Sequence, residues 1–147
     1  MYKRILVATD GSTLSKKAVN TAISMAALCG AELVALKVVP RYPQSYFEGG
    51  MALPVTEIGR VEKQWAVDGQ AVVDAVKKLG ESKGVTVKAI TVKSDLVSDA
   101  VISAAKKQKC DLIVMASHGR KGIKRLLLGS ETQHVLTHSP IPVLVLK

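Results

Sequence analysis

The chain has 147 residues, 48% of them apolar and 22% charged, which suits one domain with a sizeable core. Disorder would need fewer apolar residues, and a disulfide scaffold would need a shorter, cysteine-rich chain. Lys and Arg number 21 against 12 Asp and Glu, a net charge of +9 that favours anionic partners. Most of that excess lies after residue 100, in Lys106, Lys107, Lys109, Arg120, Lys121, Lys124, Arg125 and Lys147 against Asp111 and Glu131. The aromatics (Tyr2, Tyr42, Tyr46, Phe47 and Trp65) are too few and scattered for base-stacking platforms, so a small phosphate ligand fits better than nucleic acid. No apolar run approaches the ~20 residues that span a bilayer, and the start has no signal-peptide layout. A soluble, cytoplasmic protein of one domain, residues 1–147, is expected, with Cys29 and Cys110 as buried thiols lacking CxxC spacing.

Five β-rich runs alternate with helical stretches. Ile5-Leu6-Val7-Ala8 is a buried-strand pattern that ends in Thr9-Asp10-Gly11-Ser12, a turn and helix-start signal. Residues 13–30 read as a helix with Ala18, Ala22, Met25 and Cys29 on its inner stripe, closed by Gly30. Residues 33–39 form the second strand, stopped by Pro40, and 41–55 read as a Pro- and Gly-bearing loop. A long helix follows with Ile58, Val61, Trp65, Val72, Val76 and Leu79 as its core face, ending within 80–84. Residues 85–92 form a third strand whose partial alternation suggests a sheet edge. Ser94 or Asp95 is the expected cap of a helix with Val97, Val101 and Ala104 inside. Residues 112–116 are the fourth strand, 117–129 a glycine-rich basic connection with a helical turn at 124–128, 130–138 the last helix and 142–146 the final strand.

This β-α alternation predicts a three-layer α/β domain, a five-stranded parallel sheet with helices on both faces. Ligands of open parallel sheets bind outside the carboxyl ends of the strands, where strand order reverses. The loops after the first and fourth strands hold the unusual residues, so those strands should be neighbours, giving the order 3-2-1-4-5. Between residues 116 and 133, Gly119 and Gly122 open the backbone to an anion, and Gly129-Ser130 opens a helix whose free amides favour negative charge. There is no GxxxxGK[ST] and no GxGxxG after a strand, which excludes a P-loop and the usual dinucleotide fingerprint.

The strings Val7-Ala8-Thr9-Asp10-Gly11-Ser12, residues 111–120, Leu128-Gly129-Ser130 and residues 139–145 resemble the universal stress protein family along essentially the whole chain. The resemblance implies the same 3-2-1-4-5 sheet and, for one class of the family, ATP binding with Mg²⁺ bridging the phosphates. The ATP-class motif is a glycine, two residues, a glycine, nine residues, then glycine and Ser or Thr. Gly119, Gly129 and Ser130 fill it, while Ala116 stands at its first glycine. By the same resemblance Asp10 faces ribose or metal, the backbone of Val38 meets adenine, and Gly119, Gly129 and Ser130 hold phosphates. Thr9, Met115, Ala116, His118, Arg120 and Thr132 complete the expected nucleotide site.

Plainer roles compete at several of these positions. Asp10 also suits a helix cap, Ser130 with Gln133 suits a capping box, and His118 suits a solvated imidazole. His134 and His138 have the i, i+4 spacing of metal ligands, but no Glu or Cys nearby completes a set. Lys106, Lys107 and Lys109 suit a solvated helix end. In the 3-2-1-4-5 order the last strand is an apolar edge, and antiparallel pairing of Val143, Leu144, Val145 and Leu146 with a second copy would cover it. The expected function is a dimeric, ATP-binding stress-response module without dedicated catalysis. A slow ATPase, a non-nucleotide interaction protein and a basic nucleic-acid binder remain as alternatives.

Overall fold

The computed structural model describes residues 1–42, 54–118 and 128–147. Nine elements follow one another: β1 (Arg4–Ala8), α1 (Thr13–Cys29), β2 (Glu32–Val39), α2 (Val55–Ser82), β3 (Val87–Lys93), α3 (Val97–Lys107), β4 (Leu112–Ala116), α4 (Ser130–His138) and β5 (Val143–Leu146). The strands form one parallel sheet in the order β3-β2-β1-β4-β5, as expected. Most of the loop expected at 41–55, and the helical turn expected at 124–128, lie outside the described residues.

The near-continuous apolar strands are buried on both faces because a core lies on each. On one face Ile5, Val7, Leu33, Ala35 and Val114 pack against α1 and α2. On the other, Leu6, Val34, Leu36, Ile113 and Met115 pack against α3 and against Val135 of α4. In α1 the inner stripe runs through Ser15, Ala18, Val19, Ala22, Ile23 and Ala26, so Met25 and Cys29 are only partly buried. Gly30 closes α1 in the left-handed conformation (φ 65°), its N–H bonded to the Ala26 carbonyl.

The expected core face of α2 is corrected. Its buried residues are Gly69, Val73, Val76 and Gly80; Val72 is partly buried and Leu79 is exposed. Two of these four are glycines because the helix lies directly on β2 and β3. A Cβ on Gly69 would sit 2.7 Å from Val39 Cγ2, and one on Gly80 would collide with Val87 Cγ2. Trp65 is half-buried rather than core, stacked on Tyr42 with ring centroids 6.0 Å apart. The third strand starts at Val87 because Val85 is still tied to the carbonyl of Gly80.

Polar contacts at the amino edge of the sheet fasten α3 and β4 to β1. Asp111 accepts the backbone N–H groups of Lys3 (2.9 Å) and Arg4 (3.1 Å), and Arg4 pairs with Glu32 while donating to the Gln108 carbonyl. Burial works to raise the Asp111 pKa, but the two backbone donors outweigh it and hold the group below its usual value. A carboxylate so depressed contributes stability above its unfolded-state pKa and loses it as pH falls through the folded one. Next to it, burial pushes the Cys110 thiol up to about 11, with Arg4 opposing. Cys110 is therefore a protonated, unreactive core residue at neutral pH.

Gly80→Ala should lower stability by about 1–3 kcal/mol despite alanine's better helix propensity, because Val87 is β-branched and has no room to retreat. Urea unfolding compared with an exposed control, Gly59→Ala, whose added Cβ meets nothing within 4 Å, measures the effect.

Candidate functional site

The carboxyl end of β1 runs into a loop that its own side chains organise. Thr9, buried, accepts the Gly11 N–H on Oγ1 (3.2 Å) and bonds Ser15 Oγ (3.1 Å). Asp10 Oδ1 accepts the Ser12 N–H (2.9 Å), and Ser12 in turn caps α1 by accepting the Ser15 N–H (3.2 Å). The cap of α1 is thus Ser12, while Asp10 shapes the turn before it. Gly11 takes φ 80°, which makes room for that turn.

Beside it, the end of β4 is stitched to the start of α4. Gly129 donates its N–H to the Ser117 carbonyl (2.8 Å), and the buried Thr132 hydroxyl donates to the Ala116 carbonyl (2.9 Å). The two segments cross so closely that a Cβ on Gly129 would lie 3.2 Å from His118 Cα and 3.3 Å from the Ser117 carbonyl oxygen. Gly129 is itself the N-cap residue of α4 and no side chain caps the helix, so Ser130 is its first helical residue and the Ser130–Gln133 capping box does not form. Ala116 ends a regular strand without positive φ, so its Cβ carries no backbone strain. His118 Nδ1 lies 3.1 Å from Ser117 Oγ.

The amino end of α3 completes the rim. Neither Ser94 nor Asp95 caps that helix: Leu96 is its N-cap residue, Ser94 Oγ accepts the Leu96 N–H (3.1 Å), and Asp95 Oδ1 accepts the Arg41 N–H (3.3 Å). The free amide of Ser98 is taken instead by the Glu131 carboxylate of α4 (2.8 Å). Val97, expected inside α3, is part-exposed and lines the site.

These ends surround one cavity of about 590 Å³. Its apolar wall includes Leu36, Val38, Val101 and Met115, and its polar side includes Thr9, Asp10, His118, Gly129, Ser130 and Thr132. Every expected site residue that the structure describes, Ala116 included, therefore lines the same space. Gly119 and Arg120 lie outside the described residues, as do Lys121, Gly122, Lys124 and Arg125. Sequence reasoning missed Glu131, Ser15 and Asp95 at this site. For Glu131 a signal was present, an acidic residue in the first turn directly after Gly129-Ser130.

His134 and His138 stand one turn apart on α4. Their rings stack at 4.1 Å, His134 Nε2 lies 3.1 Å from Asp99 Oδ1 and His138 Nδ1 lies 3.0 Å from the His134 carbonyl. Among the described residues no group of three or more His, Cys, Asp or Glu side chains is arranged to hold a metal ion. No described helix is long and apolar enough to cross a membrane.

The family model of the universal stress proteins matches residues 1–147. This chain belongs to that family. Universal stress protein MJ0531 of Methanocaldococcus jannaschii is 35% identical over 147 residues, covering 100% of this chain and 83% of the relative. Among solved structures, that of protein MJ0577 from the same organism superposes with a TM-score of 0.81 at 27% identity, covering 100% of this chain and 96% of that one. A universal stress protein solved in complex with cAMP gives a TM-score of 0.71 at 25% identity, covering 99% of this chain and 97% of that one. The family membership agrees with the five-stranded sheet order found here.

Gly129→Val should force the β4 exit and the α4 entry apart, since the Cβ alone already presses on main-chain atoms. The expected cost is about 1–3 kcal/mol in chemical denaturation, with the far-ultraviolet circular dichroism of the folded state retained.

Proposed function

We propose that this member of the universal stress protein family is a regulatory module that binds an adenine nucleotide in the crevice between β1 and β4. The observation that carries the reading is the cavity of about 590 Å³, a volume suited to a nucleotide, with an apolar wall on one side and the amino end of α4 on the other. The cAMP bound by a relative of the same fold supports it. In this reading the base lies against Leu36, Val38 and Met115, with the Val38 backbone meeting the adenine edge. Asp10 takes the ribose or a phosphate-bound Mg²⁺, and the amides near Gly129 and Ser130, joined by Gly119 and Arg120, hold the phosphates. Thr9 and Thr132 act behind that surface, shaping the two loops through their hydroxyl bonds. ATP with Mg²⁺ is the ligand the sequence motif favours, and binding coupled to signalling, not dedicated catalysis, is the activity.

Adenine nucleotide at about one hundred times its Kd should stabilise the fold by about 2.7 kcal/mol. Scanning fluorimetry with millimolar ATP and Mg²⁺, AMP and cAMP reads this as a raised Tm. Absence of any shift with all three refutes the reading. Gly129→Val should weaken binding by more than about tenfold, because the cradle is distorted at the helix amino end.

We further propose that the module is a homodimer joined through β5. Val143–Leu146 is an edge strand, and all four of its residues are partly buried in the single chain. The carbonyl of Pro142 accepts the N–H of Ile113 in β4 and that of Leu146 the N–H of Ser117 just after it, so by strand alternation the main-chain groups of Val143 and Val145 point to the open edge. Val145→Pro therefore removes an outward donor without breaking a bond to β4. Light scattering after size exclusion should show a dimer for the parent and a monomer for Val145→Pro; a dimer for both places the interface elsewhere.

A further inference from the structure

The described wall of the cavity carries three carboxylates, Asp10, Asp95 and Glu131, against one lysine, Lys37. Among the described residues, neither Asp95 nor Glu131 enters an ion pair. Their bonds are to main-chain N–H groups, Asp95 to Arg41 and Glu131 to Ser98, and a neutral donor leaves the carboxylate its charge. Glu131 occupies the first turn of α4 beside Ser130, and its carboxylate is fixed toward the start of α3. Two helix amino ends, both favourable to negative charge, thus share one resident anion. Phosphates arriving at the amino end of α4 enter the field of that anion and are repelled in proportion to their own charge.

Resting on the nucleotide reading above, we propose that Glu131 is a specificity-determining residue that sets the charge of ligand this cavity accepts. It disfavours a free triphosphate relative to a singly charged cyclic monophosphate, and a divalent cation on the triphosphate relieves the penalty. Across several ångströms of partly screened space, the three additional charges of free ATP amount to about a fivefold difference in affinity. The resident carboxylate satisfies an amide at the amino end of α3 in the absence of ligand, so it serves the fold and the selectivity together.

The test is isothermal titration of the full chain with adenosine, cAMP and ATP, in EDTA at low ionic strength and again in excess Mg²⁺. Glu131→Gln keeps an acceptor for the Ser98 N–H and removes the charge. It should tighten metal-free ATP by about fivefold and change adenosine by less than about twofold. Glu131→Asp, which keeps the charge, should preserve the parent ranking of cAMP over metal-free ATP. In the parent, Mg²⁺ should narrow the gap between ATP and cAMP. Equal effects of Glu131→Gln on adenosine and ATP would reduce Glu131 to a helix-to-helix tie and overturn the proposal. So would a parent that binds metal-free ATP and cAMP alike. Failure of all three ligands to bind the parent, adenosine included, would instead remove the nucleotide reading on which the proposal rests.

Discussion

The close crossing of the chain leaving β4 and the chain entering α4 is the constraint on which the site depends. Two hydrogen bonds hold it, Gly129 N–H to the Ser117 carbonyl and the Thr132 hydroxyl to the Ala116 carbonyl. Ala116 is the last residue of the fully buried β4, and the buried Ser117 follows it directly. Leaving a buried carbonyl unsatisfied costs about 1–3 kcal/mol, so the crossing satisfies the strand end and fixes the helix start at once. The same contacts thus set the first turn of α4 in the wall of the crevice.

The two ends of the sheet divide the labour. At the amino edge, charged groups are used up on the protein itself: Asp111 on the Lys3 and Arg4 amides, Arg4 on Glu32 and the Gln108 carbonyl. At the carboxyl end, short polar side chains bond groups of their own loop, as with Thr9 to Gly11 and Ser15, Asp10 to Ser12 and Ser12 to Ser15. That arrangement preorganises loops without filling the space between them. A ligand entering there meets a backbone already in position, so little ordering entropy remains to be lost on binding.

The sheet order was legible in the sequence because two loops of unusual content were read as sharing one crevice, and the 3-2-1-4-5 order makes β1 and β4 neighbours. Most of the site was legible for the same reason, since every described residue expected in it lines one cavity. The face of α2 was misread because apolar side chains were taken as the inward signal. The helix instead approaches β2 and β3 through Gly69 and Gly80, residues with no hydropathy signature. The cap of α3 was misread because Ser94 and Asp95 are the local candidates, whereas the acceptor comes from Glu131, 33 residues further along the chain. Local pattern rules do not reach that far.

Topology explains why that distant carboxylate is needed. The β3-to-β4 connection must pass over β2 and β1, three inter-strand spacings of about 4.8 Å each. Helix α3 runs back along the strands, from Val97 at the cavity to the Gln108 carbonyl that Arg4 holds at the opposite end of the sheet. Its amino end lies at the crevice, where the Ser98 amide needs an acceptor, while α4 begins beside the end of β4. The side chain of Glu131 makes that bond and ties the start of α3 to the first turn of α4, beside the apolar packing that α3 shares with Val135. The crossover thus leaves the amino end of α3 facing α4, and the carboxylate that joins them stands in the wall of the cavity.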